Sequence, residues 1–246
     1  MKEWNYENEQ WTQLPIHLRH LPLFTRHLDF TSFLIRASWA VFMKGLFFRF
    51  YIRLKVKGDF HEVSKRHPKL IVISNHASHL DAISIAASIP FRYWLQLYIA
   101  AAKDYFFKGY WMTVFSKHCI GAIPLDRKEN KREAMTLCVN LLSSLSQMWL
   151  VMFPEGTRSP DGHVRAFKRG VSVFALRTNT PVLFLYLENA YNLWPKGNFF
   201  AKPGALTVHV GPVHPPAGID EINNAYERWG RSIDPEAFAL LSEAIN

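Results

Sequence analysis

The sequence predicts an α/β domain with a mixed central sheet flanked by helices, preceded by an N-terminal pair of basic amphipathic helices. Three observations predict it. Short apolar runs such as KLIVIS (69–74), WLVMF (149–153) and PVLFLYL (181–187) have the length and the bulky or β-branched content of buried strands. Stretches of helical spacing lie between these runs, so strand and helix alternate along the chain. Residues 1–57 differ in composition: a polar leader gives way to a basic, aromatic segment. The expected division is therefore 1–57, leader and membrane-interface helices, and 58–246, the α/β domain.

At 246 residues the chain can bury a core without disulfide or metal staples. Apolar residues at 49% and charged residues at 20% exclude a largely disordered chain. The 29 Lys and Arg against 20 Asp and Glu give a net charge of +9, which suits a polyanionic partner such as an anionic lipid surface, nucleic acid or a phosphorylated substrate. The two cysteines, Cys119 and Cys138, form no metal spacing and no disulfide framework, so a reducing compartment is expected. The N-terminus, MKEWNYENEQW, is polar and acidic, unlike a signal peptide.

Residues 16–57 hold eight basic residues, from Arg19 to Lys57, against Asp29 alone. Phe33, Leu34, Trp39, Phe42, Met43, Leu46, Phe47, Phe48, Phe50 and Tyr51 are interleaved with them, mostly every three or four positions. This pattern fits helices lying in a membrane interface. It also fits helices packed on the domain with their cations solvated, although ten bulky residues exceed what one packed face needs. The stretch 32–52 is interrupted by Arg36, Lys44 and Arg49, and 134–154 carries Asn140, Ser143, Ser144, Ser146 and Gln147. Neither reads as a membrane-spanning helix.

Next in order, 69–74 reads as a strand, Asp81–Ala87 as a helix ended before Pro90, and QLYIAA (96–101) as a strand. Residues 104–117 read as short helices and CIGAIPL (119–125) as a strand, followed by a helix that opens at the charged 128–133 and runs to about 147. A strand at 149–153, a helix at 167–176 and strands at 181–187 and 205–211 complete the alternation. Residues 192–204 read as a loop or hairpin. The acidic stretch 217–246 reads as a solvated edge with a final helix at 233–245.

Three polar islands follow predicted strands, where open α/β sheets bind ligands. In SNHASHLD (74–81), His76 and Asp81 are five positions apart, about 140° from a shared helical face, so they meet only if a turn separates them. A strand end leading into a helix supplies one, with Ser78 as the N-cap. A carboxylate on one imidazole nitrogen then frees the other as a general base. His79 competes for that role, and nothing else in the chain completes a metal site with these residues. In IPLDRK (123–128), Arg127 offers a planar fork of donors to a phosphate, or opens a helix at the surface. In FPEGTRSPDG (153–162), Gly156 permits close backbone approach to an anion, Thr157 fills the turn and Arg158 adds a second guanidinium. Glu155 would repel a phosphate and is expected to orient an arginine or a substrate hydroxyl. Together the islands describe acyl or phosphoryl transfer to a hydroxyl near a phosphate. The G-x-x-x-x-G-K-[ST] and G-x-S-x-G patterns of nucleotide-driven transfer and of serine nucleophiles are absent from the sequence.

These islands, in this order, resemble the conserved blocks of the glycerolipid acyltransferases, whose best-known members are the lysophosphatidic acid acyltransferases. NHASHLD is similar to their N-H-x-x-x-x-D block, GAIPLDR (121–127) to the second and FPEGTRS (153–159) to the third, followed by FKRG (167–170); Pro181 resembles the start of the fourth. Pro124 departs from the second block, where an aromatic or aliphatic residue is usual.

The resemblance implies that His76 is the general base and Asp81 its orienting partner. It implies that Arg127 and Arg158 hold the acceptor phosphate in a pocket shaped by Glu155, Gly156 and Thr157. It implies an acyl chain taken from acyl-CoA or acyl carrier protein as co-substrate, with no cofactor and no metal. The acceptor would be a membrane lipid of the lysophosphatidic acid type. An anionic membrane surface rather than nucleic acid would be the partner, with peripheral or monotopic association on a cytoplasmic face. A different lysolipid acceptor, by transfer or by transacylation, is the alternative. A basic module that binds lipid or nucleic acid without catalysis is a further one. The sequence does not name the donors that stabilise the oxyanion; a backbone amide near 76–79 is one candidate.

Overall fold

The computed structural model describes residues 30–102, 115, 119, 122–125 and 131–243. Helix α1 (Phe30–Phe42) passes into a wider π-helical stretch (Met43–Tyr51), which leads straight into strand β1 (Ile52–Lys57). Helix α2 (Phe60–Arg66) starts under Asp59, whose carboxylate accepts the amides of His61 at 2.8 Å and Glu62 at 3.2 Å. Then come β2 (Lys69–Ser74), α3 (Asp81–Ser88), a 3-10 segment (Phe91–Gln96), β3 (Leu97–Ala102), β4 (Ala122–Leu125), α4 (Lys131–Ser144) and β5 (Met148–Met152). The chain continues through α5 (Gly170–Thr178), β6 (Val182–Glu188), α6 (Ala190–Leu193), β7 (Gly204–His214), α7 (Ile219–Arg231) and α8 (Ala239–Glu243).

The seven strands form one sheet in the order β1-β7-β6-β2-β5-β3-β4. Every neighbouring pair is parallel except β6 and β7, so the sheet is mixed, as the alternation predicts. Strand period two divides the core into two layers. Ile71, Ile73, Leu150 and Met152 face one way, against α4 (Cys138, Leu141, Leu142), α5 (Val171, Phe174, Ala175) and α7 (Ile222, Tyr226). Leu70, Val72, Trp149 and Val151 face the other way, against the N-terminal helix (Ala40, Met43, Phe48), α2 (Phe60), α3 (Ile85, Ala87) and α6 (Ala190, Leu193). Both faces are covered, which is why these strands carry near-continuous apolar runs.

Four sequence expectations change. Strand β1 pairs with β7 and belongs to the sheet, so the α/β unit starts at Ile52 rather than at 58. The supposed edge 217–246 contains α7, which buries Ile222, Tyr226 and Gly230 at helical spacing. Gly230 lies so close to Phe238 that a Cβ there would fall 2.0 Å from the ring. The final helix begins at Ala239 rather than at 233. The N-terminal helix also fits neither reading alone. Ala40, Met43 and Phe48 pack on the domain, while Val41, Leu46 and Phe50 remain exposed.

Lys44 belongs to the packed side: its ammonium donates to the Ile89 carbonyl and lies 5.4 Å from the Trp94 ring centroid. Burial draws its pKa down to about 8. The uncharged stretch 134–154 resolves into a helix ending at Ser144 and a buried strand from Met148. Among the described residues no helix is long and apolar enough to cross a membrane. Pro124 falls on β4, the edge strand, where a missing backbone donor is tolerated. The short helices expected at 104–117 lie almost wholly outside the described residues.

Candidate active site

Strands β2 and β5 are parallel neighbours with Ile73 opposite Met152. Both therefore release their chains at the same edge of the sheet, and the turns that follow, 75–81 and 153–159, meet there although far apart in sequence. His76 is held from three directions. Its amide donates to Glu155 Oε1 at 2.8 Å, its carbonyl accepts from the Ser159 amide at 2.7 Å, and its ring stacks on Phe153 with centroids 4.2 Å apart. The second and third contacts also come from the β5 turn, so one motif fixes the other.

The turn between His76 and α3 brings the pair together. His76 Nδ1 lies 2.8 Å from Asp81 Oδ2, and that same oxygen accepts the amides of Ala77 and Ser78, each at 2.8 Å. Asp81 is fully buried, whereas the His76 side chain is 21% exposed. An accepting carboxylate requires the proton on Nδ1, which leaves the Nε2 lone pair to receive a proton from elsewhere. Ser78 does not cap α3. Its hydroxyl accepts from the Leu80 amide at 3.1 Å and donates to the Trp194 carbonyl at 2.9 Å.

The candidate amides for an oxyanion are already engaged. The amides of His76, Ala77 and Ser78 are taken by Glu155 and Asp81, and that of His79 donates to the Trp194 carbonyl at 3.2 Å. A backbone amide of this turn would have to break an internal bond to serve an oxyanion.

Glu155 has a contact that the sequence does not announce: its carboxyl is buried against the His76 amide. Burial raises its pKa to about 8, opposed by the backbone amides of His76 and Arg165. The Gly156 amide closes the turn by donating to the Phe153 carbonyl at 3.0 Å rather than opening toward an anion. Gly156 has φ +78, and a Cβ there would fall 2.5 Å from Lys168 Nζ, so glycine serves both the backbone and the approach of that ammonium. Thr157 is exposed at the rim. Arg158 is half-buried, and its charge reaches His79: burial first, then Arg158, lower the pKa of that imidazole. Arg127 lies outside the described residues. Among the described residues no group of three or more His, Cys, Asp and Glu is placed to hold a metal ion.

Three further residues build the site without having been expected. Trp194 supplies the carbonyl just described, and its ring lies 5.0 Å from that of His79. Asn75 locks the end of β2 to β6: its Oδ1 accepts from the Leu187 amide at 2.8 Å and its Nδ2 donates to the Leu187 carbonyl at 3.2 Å. Tyr226 of α7 braces the same point, its hydroxyl accepting from the Asn75 amide at 3.1 Å and donating to the Leu185 carbonyl at 2.8 Å. Asn75 stands inside the first island and was within reach of sequence reading. Tyr226 carries no motif.

Known proteins can be set beside this geometry. Residues 54–187 match the family model described as Acyltransferase. A 1-acyl-sn-glycerol-3-phosphate acyltransferase of Limnanthes douglasii is 31% identical over 165 residues, covering 65% of this chain and 54% of its own length. One from Pseudomonas aeruginosa is 37% identical over 113 residues, 44% of each. The chain thus spans about half the length of the curated relatives it matches. The crystal structure of the 1-acyl-sn-glycerophosphate (LPA) acyltransferase from Thermotoga maritima has the same fold, with a TM-score of 0.63 and 23% identity over 83% of this chain and 80% of that one.

Proposed function

The chain belongs to the acyltransferase family, and from that premise we propose that it moves a fatty acyl group from a thioester donor, acyl-CoA or acyl carrier protein, to the free hydroxyl of a lysophosphatidic acid-type acceptor. The observation that carries the reading is the 2.8 Å contact between His76 and buried Asp81, with the backbone of His76 clamped by the third motif. The names of the relatives support the acceptor class.

A thioester is already activated, so no covalent enzyme intermediate is needed. His76 Nε2 takes the hydroxyl proton as the oxygen attacks the thioester carbon. The tetrahedral intermediate collapses with cleavage of the carbon–sulfur bond, and the protonated imidazole returns its proton to the leaving sulfur. The products are an ester and a free thiol. Arg158, beside His79, holds the acceptor phosphate and so fixes the distance from hydroxyl to imidazole; Arg127 is assigned as its partner there. Such orientation removes several kcal/mol from a bimolecular barrier, on the order of 7–11 in favourable cases. The exposed face of the N-terminal helix rests on an anionic membrane, giving peripheral or monotopic association on the cytoplasmic side.

The deciding experiment offers purified protein labelled acyl-CoA and labelled acyl carrier protein with a panel of lysolipid acceptors. Ester formation on lysophosphatidic acid above all other acceptors is the expected result. Preference for an acceptor without a terminal phosphate overturns the acceptor assignment.

A further inference from the structure

The loop between α6 and β7 is closed at its base and exposed at its tip. Lys202 donates its amide to the Leu193 carbonyl at 2.7 Å, and the Trp194 indole donates to the Asn198 carbonyl at 3.0 Å. Phe199 and Phe200 stand at the tip, 83% and 74% exposed, with their rings edge to face at 4.7 Å. Two large apolar side chains held together in water need a reason.

The surroundings supply the occupant. Lys196 and Lys202 flank the pair, and no acidic residue occurs between Glu188 and Asp220. The loop is tied to the N-terminal helix: the Tyr51 hydroxyl donates to the Ala201 carbonyl at 2.6 Å. Next to Tyr51, Phe50 is 73% exposed, and no acidic residue occurs from Phe30 to Gly58. Aromatic side chains ringed by cations without acids complement an anionic lipid surface. At the other end of the loop, the Trp194 carbonyl accepts from Ser78 and His79 of the catalytic turn.

We propose that the Lys196–Lys202 loop is a second membrane contact, inserting Phe199 and Phe200 into an anionic bilayer beside the exposed helix face and thereby holding the His76 turn at the lipid surface. This deepens the proposed function and rests on it only for the identity of the acceptor. Docking by the helix alone would leave the protein free to pivot. A second contact, tied to the helix through Tyr51 and Ala201, fixes its orientation.

Flotation of the full chain with phosphatidylcholine vesicles, with and without phosphatidylglycerol, tests the proposal. Phe199→Ser together with Phe200→Ser is expected to lower partitioning by about tenfold or more, as removal of two inserted aromatic side chains requires. Thermal melting should not move, because both side chains are exposed. Lys196→Gln with Lys202→Gln should weaken partitioning only where phosphatidylglycerol is present. Unchanged partitioning in the phenylalanine variant overturns the proposal. So does a wild-type dimer that the variant dissociates while vesicle partitioning is retained, since the tip would then be covered by a second copy. Transfer to a short-chain, water-soluble lysophosphatidic acid should be equal in wild type and variant, and transfer to a vesicle-borne acceptor should fall in the variant. Wild-type protein inactive on both acceptors would sink the acceptor assignment, and the partitioning data would still decide the docking surface.

Discussion

Glu155 accepts the backbone amide of His76 at 2.8 Å, across two turns that are seventy-nine residues apart in the chain. A family motif expected to meet substrate is thus also the clamp on the backbone of His76. The site has one rigid centre, and substitutions around it should separate into those that remove chemistry and those that loosen it.

His76→Ala removes the imidazole hydrogen-bonded to Asp81. Steady-state transfer should fall by roughly 10²–10⁴-fold, the usual contribution of a positioned base. Vesicle binding should be unaffected. Turnover within a few fold of wild type would exclude His76 as the base.

Glu155 carries a pH dependence of stability. Its pKa rises from an ordinary 4.5 to about 8 on folding, so between those values the folded chain holds a proton that the unfolded chain lacks. Its contribution therefore diminishes as pH rises through that window and levels off above it. Glu155→Gln should flatten the fall in Tm between about pH 5 and about pH 8, read by calorimetry across a pH series. A variant whose Tm profile parallels the wild type would refute the buried, proton-binding carboxyl.

Arg158→Ala should raise KM for the phosphorylated acceptor by about 10–100-fold, the equivalent of a lost charge-assisted hydrogen bond of roughly 1.5–3 kcal/mol. KM for the acyl donor should change far less. Equal losses on both substrates would show that Arg158 is a general structural support.

Tyr226→Phe deletes a hydroxyl that joins α7 to Asn75 and Leu185. Buried groups left unpaired cost about 1–3 kcal/mol, readable as a lower urea midpoint. Because Tyr226 acts on the position of the His76 turn, kcat should drop while KM for both substrates holds. A loss of stability with kcat intact would make it structural only.

What could be read before any coordinates follows from which signals survive burial. The strands β2, β5 and β6 are covered on both faces, so their residues form apolar runs that no helix period explains. Strand β1 is hidden because Arg53, Lys55 and Lys57 alternate with Ile52, Leu54 and Val56 and extend the basic composition of the preceding segment. Period two was the available signal. Helix α7 escaped because Ile222, Tyr226 and Trp229 are diluted by acids and asparagines, although Asp220 and Glu221 in its first turn and Arg228 and Arg231 in its last match the helix dipole. The site motifs were legible because their chemistry is local to each turn. Their mutual bracing was not, because it depends on the register of Ile73 against Met152.

The position of β7 has a consequence for cutting the chain. Among the described residues β1 pairs with β7 alone, and β7 in turn lines the outer side of β6. A fragment trimmed to the stretch shared with the family, 54–187, would shed that bridging strand along with the helix that props Asn75. Its first strand would have no hydrogen-bonding neighbour, and β6 would become a bare greasy margin open to other molecules. The shared stretch is thus a recognisable signature that should not fold by itself, and a fragment that keeps the sheet and the brace on Asn75 has to run at least through Arg231.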